Sequence, residues 1–368
     1  MRNAECRINE VPLFEAREPA ADAWHAVASP GGYEWWYFDA EDVAKDMYVA
    51  GILLDGFVFH PGYLRACSRY LRHPTRRRPP LAREYPCAYF VVYERGKITH
   101  QFMTQYPVGS LVAERDRPDV RIGPNRFWRE DGVLRLKLAG TPWILTCLGP
   151  KTLAGRRLEG DFTFVPRSAD MVHERTFLSK AMTGAEHRWV IADPMCDVRG
   201  SIRVTTLAQA AAPMRQIEFT GRGYHDHNYG TGPLGPGLAR WIWGRVLLDD
   251  RVATFHYARP RNSELGDEVH LLEADAGGVH DLPVAKVTGD WSKQTSLLLA
   301  YPAELRFDGL LRLFNPRLID SAPFYMRMVY DVEFRGRAGK ALCEAAYPHR
   351  LLWPVLGRMI EMSIERTA

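Results

Sequence analysis

The stretch Gly221-Arg-Gly-Tyr-His-Asp-His-Asn-Tyr-Gly230 reads as an extended segment with an unusual polar load. Side chains of a strand alternate between its two faces. Tyr224, Asp226 and Asn228 therefore point one way, and His225, His227 and Tyr229 the other. A carboxylate between a tyrosine and an asparagine, close to Trp241-Ile-Trp243, is a poor way to build a plain core. Burying it unpaired costs several kcal/mol, or raises its pKa until it is neutral. On the residues alone two readings stay open. In one, the stretch is a tight turn whose Asp226 and Asn228 bond local backbone amides. In the other, His225 and His227 share a face as two metal ligands, with His187 or His256 as candidates for a third.

The flanking chain repeats the extended character. Tyr33–Asp39, Met47–Leu54, Tyr89–Tyr93, Val133–Leu138 and Asp161–Val165 are short and rich in β-branched or aromatic residues. Ile202–Thr206, Ile217–Thr220, Trp241–Leu248, Val252–Ala258 and Tyr325–Phe334 continue the series. Turn dipeptides fall between them at Asp131-Gly132, Asp249-Asp250, Gly277-Gly278 and Asp308-Gly309. Helical spacing is confined to the end, where Leu351, Leu352, Val355, Leu356, Met359 and Ile360 recur at i, i+3, i+4 in a pattern broken by Pro354. Many short strands with frequent turns predict a mainly β protein of antiparallel sandwiches or barrels. At 368 residues we expect two such domains, 1–197 and 198–368, the second ending in a helix.

Composition narrows the function classes. With 46% hydrophobic and 25% charged residues the chain is neither disordered nor collagen-like. A net charge of +4 does not argue for a nucleic-acid partner. The first twenty residues carry no apolar run resembling a signal peptide, and no stretch reaches the roughly 18 apolar residues of a spanning helix. We expect a cytoplasmic protein, soluble or peripheral on the inner face of a membrane. Cys6, Cys67, Cys87, Cys147, Cys196 and Cys343 are scattered without a CxxC pair and read as reduced packing residues. Arg65–Arg83 holds seven arginines and no acid and reads as a loop, either a solvated insertion or a contact with anionic lipid. Leu207–Pro213 is Ala-rich and reads as a hairpin tip.

A third reading of the central stretch comes from resemblance. Gly31-Gly-Tyr-Glu-Trp-Trp-Tyr-Phe-Asp-Ala40 followed by Gly56-Phe-Val-Phe-His-Pro-Gly-Tyr63 resembles the opening of the carotenoid 1,2-hydratases, or hydroxyneurosporene synthases. Val120-Arg-Ile-Gly-Pro124, His187-Arg-Trp189 through Pro194, Gly223–Gly230 and Trp241-Ile-Trp243 match further blocks of that family in order. The resemblance covers about residues 30 to 260 and extends to the wider AttH-like group. It implies two lipocalin-like (calycin-type) β-domains with a lipophilic pocket, no cofactor and no metal. It further implies hydration of the terminal double bond of an acyclic carotenoid or related isoprenoid. His187, Trp189, Tyr224 and Asp226 carry over as catalytic residues. His225 stands where the family has Leu, and Val190 where it often has a second Trp.

The chemistry suits the residues. Protonating a trisubstituted alkene needs a carboxylic acid held protonated, and an apolar site raises a carboxyl pKa by as much as ~3–5 units. We assign that acid to Asp226. Trp189 and Tyr224 offer faces to the tertiary cation, and His187 holds the water or orients Asp226. Asn228 fixes the carboxyl rotamer. Trp241 and Trp243 are expected as walls of the substrate site. Trp36 and Tyr37 are further substrate-lining candidates, although packing also explains the Trp35-Trp36-Tyr37 run. Two other functions fit the same pocket: a cyclase or pericyclase of a polyene, and a non-enzymatic lipophile carrier. The Arg-rich segment and the terminal segment from Tyr347 are candidates for peripheral membrane contact, the latter alternatively a helix packed on a barrel wall.

Overall fold

The computed structural model describes residues 20–146, 149–167, 172–177, 185–206, 214–235 and 237–367. Cys6, Cys147, the opening nineteen residues and the Ala-rich 207–213 lie outside these residues. Labelled in chain order, the strands that carry the site are β1 (Tyr33–Asp42), β2 (His187–Thr206), β3 (Arg215–Gly230), β4 (Leu238–Leu247), β5 (Arg251–Pro260), β6 (Tyr325–Phe334) and β7 (Arg337–Ala346). The two helices are α1 (Pro61–Arg72) and α2 (Pro354–Met362).

Two curled, lipocalin-like sheets make up the fold, which is mainly β as the strand pattern predicts. In the first, β1 and β3 lie side by side at the centre, with Met47–Asp55, Cys87–Glu94 and Lys97–Gln105 outward of β1. β2 flanks β3 on the other side and leads through Arg156–Pro166 to Val133–Gly140 and the far edge. The second sheet has β5, β4, β7 and β6 at its centre, in that order. Every strand predicted from sequence is present. Asp131 and Gly132 both take positive φ (51° and 76°), the left-handed pair that a right-twisted two-residue hairpin demands. The division expected at residue 197 falls inside β2, because β2 and β3 form one long hairpin. The chain changes sheet between Gly230 and Leu238, through the Gly/Pro-rich connector.

Alternation sorts the side chains into three apolar layers. One lies on the inner face of the first sheet and contains Trp36, Phe38, Phe90, Phe127 and Phe162. A second fills the other sheet with Phe255, Phe307, Tyr330 and Phe334. The third lies between the sheets, where Tyr33, Trp35, Tyr37, Trp189 and Tyr224 meet Trp243, Leu272, Val329 and Leu342. All ten residues of β1 are buried, since both its faces are covered.

The interface face of β1 also carries Asp39 and Glu41, and buried charges persist only when paired. Arg245 of β4 supplies the partner: Nε donates to Asp39 Oδ1 and Nη1 to Glu41 Oε2, each at 2.8 Å. None of the three is more than 3% exposed. Elsewhere in the layer, Tyr37 donates to Glu344 of β7 at 3.0 Å, and Arg327 of β6 donates to Glu344 at 2.9 Å and to Tyr93 at 2.7 Å. Polar contacts thus clamp the two sheets at two places along one apolar seam.

The Arg-rich segment corrects one expectation. Its first part is α1, not loop. His60 Nδ1 accepts from the amides of Gly62 and Tyr63, Pro61 occupies the first helical turn, and Pro61, Tyr63, Leu64 and Cys67 share the buried face. The arginines line the exposed side, so a charge count concealed an amphipathic helix. At the other end Pro354 begins α2 and does not interrupt it. Cys67, Cys87, Cys196 and Cys343 are buried free thiols.

Arg245→Ala leaves Asp39 and Glu41 buried without their counter-charge, and should cost about 3–5 kcal/mol of unfolding free energy by urea titration. Replacing all three groups together with uncharged side chains of similar size, as Arg245→Met/Asp39→Leu/Glu41→Gln, should recover most of that loss.

Candidate active site

Strand register builds the site as a grid on the interface face of the first sheet. Gly230 of β3 lies between Tyr33 and His187, Asn228 between Trp35 and Trp189, and Asp226 between Tyr37 and Ile191. Gly230 is glycine for a spatial reason: a Cβ there would run into the ring and hydroxyl of Tyr33. The ring crosses the strand at that point, and its hydroxyl shares a 2.8 Å hydrogen bond with His187 Nδ1.

Asp226 is 3% exposed. Trp189 Nε1 and the Tyr224 hydroxyl both donate to Oδ2, and Asn228 Nδ2 donates to Oδ1, all at 2.9 Å. The stretch is therefore a strand and not a turn, and its donors are side chains. Burial lifts the Asp226 pKa to about 7, against the pull of the Trp189 and Tyr224 donors. Burial acts oppositely on a base, and His187 falls to about 3, with Asn228 drawing it slightly back.

The second sheet roofs this grid. Trp243 lies 5.4 Å from Tyr224 and 5.0 Å from Tyr37, ring centre to ring centre. Trp241 stacks on His256 and donates to its Nδ1 at 2.6 Å. His256 meets Trp189 edge-on at 4.1 Å. Three buried polar atoms of the layer make no hydrogen bond among the described residues, His256 Nε2, Trp243 Nε1 and the Tyr325 hydroxyl, while the His187 ring interacts with the Asn228 side chain. An orphaned buried polar atom costs about 1–3 kcal/mol, so these atoms can each make a hydrogen bond with a small polar guest such as water.

His187, Trp189, Tyr224, Asp226, Asn228, Tyr37, Trp241 and Trp243 thus share the layer between the sheets. Trp36 does not. Adjacent strand residues point apart, so Trp36 turns into the inner core, stacks on His227 at 4.7 Å and donates to the Asp22 carbonyl. The same alternation brings in Tyr33 and Trp35, which lie on the Tyr37 face; the sequence signal was present in that spacing. Arg327 and Glu344 were missed: β6 also carries Asp331 and Glu333, and β7 also carries Arg337 and Lys340, so neither stood out among the charges of its strand.

The metal reading changes its partners. His225 and His227 do share a face, but it is opposite the one that carries His187 and His256. His225 Nε2 lies 3.1 Å from Asp22 and His227 Nε2 3.0 Å from Glu34. His25, Glu34 and His227 form one group with ligand atoms within 4.8 Å, and Asp22, Asp193 and His225 another. Each also works as a hydrogen-bonded set holding the segment around Asp22 and His25 against the sheet. His225 lifts above its ordinary pKa because Asp22 outweighs the effect of burial.

A raised acid penalises folding where it must ionise. Unfolded, Asp226 loses its proton near 3.8; folded, near 7. Stability therefore falls as pH climbs from about 4 to 7, by roughly 4 kcal/mol from this group alone. Asp226→Asn should remove the slope: urea titrations should find the variant more stable than the parent at pH 8, with the gap closing toward pH 5.

Residues 56–368 match the family described as carotenoid hydratase CrtC. A hydroxyneurosporene dehydrogenase from Chlorobaculum tepidum is 28% identical over 83% of this chain and 78% of its own length. An acyclic carotenoid 1,2-hydratase from Thiocapsa roseopersicina is 23% identical over 92% of this chain and 74% of its own. Among solved structures, a protein from Nitrosomonas europaea described as a putative AttH superposes with a TM-score of 0.52 at 14% identity, covering 86% of this chain and 92% of that one; the likeness is one of fold. With most of its length matched, the chain belongs to the carotenoid hydratase CrtC family.

Proposed function

We propose that this protein adds water across a terminal double bond of an acyclic carotenoid or related isoprenoid, with Asp226 as the acid. The observation that carries the reading is a carboxyl that burial keeps near half-protonated at neutral pH, set among aromatic faces. Elevated pKa alone is not the mark: Asp55 also rises to about 7, but it bonds Trp24 at the start of the chain. Asp226 differs in having three side-chain donors to take up its charge, one of them Tyr224, whose ring packs on Trp243.

The steps balance. The Asp226 proton adds to the less substituted alkene carbon, using the π pair, and leaves a tertiary cation on its neighbour. The Trp189, Tyr224 and Trp243 faces stabilise that cation by roughly 0.5–2 kcal/mol each without trapping it. The Asp226 carboxylate formed at this moment keeps its bonds from Trp189, Tyr224 and Asn228. Water held at His187 Nε2 attacks the cation through oxygen. Its surplus proton returns to Asp226, and the acid is restored. With a pKa near 3, His187 stays neutral and serves to position the water.

The Chlorobaculum tepidum relative is called a dehydrogenase, which suggests a second reading in which two hydrogens pass from the substrate to an added electron acceptor such as a quinone. Product mass decides. Incubation with lycopene or neurosporene should add the mass of one water per reacted end. Loss of two hydrogens supports the second reading, an isomeric product a cyclase, and unchanged substrate a carrier. Asp226→Asn should lower kcat by roughly 10²–10⁴-fold with the fold retained. The wild-type rate should fall as pH rises through about 7, because the protonated acid is the active form. Trp189→Phe deletes a donor that holds the pKa down, so that limb should move to higher pH.

A further inference from the structure

We infer that α1 and α2 form a docking surface for an anionic lipid bilayer, and that it opens onto the layer holding Asp226. This rests on the lipophilic substrate proposed above. No helix among the described residues is long and apolar enough to cross a membrane.

The two helices make one surface. Gly357 of α2 packs beside Pro61 of α1, and Arg65 pairs with Glu361 at 2.5 Å. α2 buries Gly357 and Ile360 and turns outward Val355, Met359 and Met362, which are 72%, 40% and 59% exposed. Spacing of i, i+4, i+7 puts these three on one stripe. Leu352 and Trp353 extend it on the approach to the helix, 41% and 52% exposed. Apolar side chains of this size in a row are not scattered surface residues but a contiguous patch.

The charge beside the patch selects the partner. Arg69, Arg72, Arg76 and Arg77 are exposed and make no ion pair among the described residues. An apolar stripe with an arginine rim matches an anionic membrane interface, where the stripe enters the acyl boundary and each arginine near the surface strengthens binding by roughly fivefold.

Position gives the surface its use. The buried side of the helices joins the inter-sheet layer: Leu64, Leu351 and Ile360 belong to the same apolar cluster as Trp35, Trp189 and Tyr224. The Tyr63 hydroxyl of α1 donates to the Gly32 carbonyl, next to Tyr33 and so to His187. A lipophile leaving the bilayer beneath α2 would therefore enter the same apolar layer that holds the His187 end of the grid.

The test is sedimentation of the full chain with vesicles of phosphatidylcholine alone or mixed with phosphatidylglycerol, at low and high salt. The wild-type chain should sediment with the mixed vesicles, less so as salt rises. Val355→Glu/Met359→Glu should lose binding at every salt concentration. Arg69→Glu/Arg72→Glu/Arg76→Glu should weaken binding to mixed vesicles by at least roughly a hundredfold and leave pure phosphatidylcholine unaffected. Circular dichroism should match wild type for both variants. Unaltered sedimentation of both variants overturns the inference. So does a wild-type dimer in gel filtration that Val355→Glu/Met359→Glu splits, with no vesicle binding, since the patch would then face a second copy. Turnover separates this from the functional reading. Both variants should match wild type on detergent-dispersed lycopene and lag on vesicle-embedded lycopene. Vesicle binding without turnover on either form would defeat the hydratase reading and leave the docking surface standing.

Discussion

Desolvation of one carboxyl governs the rest of the structure. Taken out of water, Asp226 holds its proton to about pH 7, and every neighbouring group either enforces or tempers that effect. The donors from Trp189, Tyr224 and Asn228 do not neutralise the penalty; they limit it. With too few donors the acid would be too weak to release its proton. With more, or with water freely admitted, it would be ionised and idle. The balance depends on keeping two large sheets pressed together over a polar spot.

That pressing is done by charges placed away from the acid. Arg245 with Asp39 and Glu41, and Arg327 with Glu344, Tyr37 and Tyr93, fix the sheets against each other without adding a cation beside Asp226. Buried ion pairs are indifferent stabilisers compared with apolar packing. Their merit here is geometric, since they set which residues of β4 and β7 lie over which residues of β1. The apolar seam then supplies the energy and the ion pairs the register.

Much of this was readable from the chain. Strand spacing and turn residues specify a mainly β fold, and alternation in Tyr224–Tyr229 puts Asp226 and Asn228 on one face. What the chain did not reveal is which face meets which. The adjacent Trp36 and Tyr37 cannot line one site, yet nothing local says that Tyr37 faces the seam and Trp36 the inner core. Arg327 and Glu344 lie about a hundred residues beyond the central stretch, and only sheet packing brings them near. α1 was hidden for another reason: its arginines dominate the composition, while its buried face consists of only Pro61, Tyr63, Leu64 and Cys67.

The back of β3 has a consequence for how acidity is set. His225 lies directly behind the Asp226 face of β3, paired with Asp22, and its charge lowers the Asp226 pKa across the thickness of one strand. Acid strength is thus adjustable from a place no substrate can touch. An exchange at Asp22 would weaken the hold on the His225 proton and let Asp226 drift upward, retuning the carboxyl while leaving the side chains around it intact.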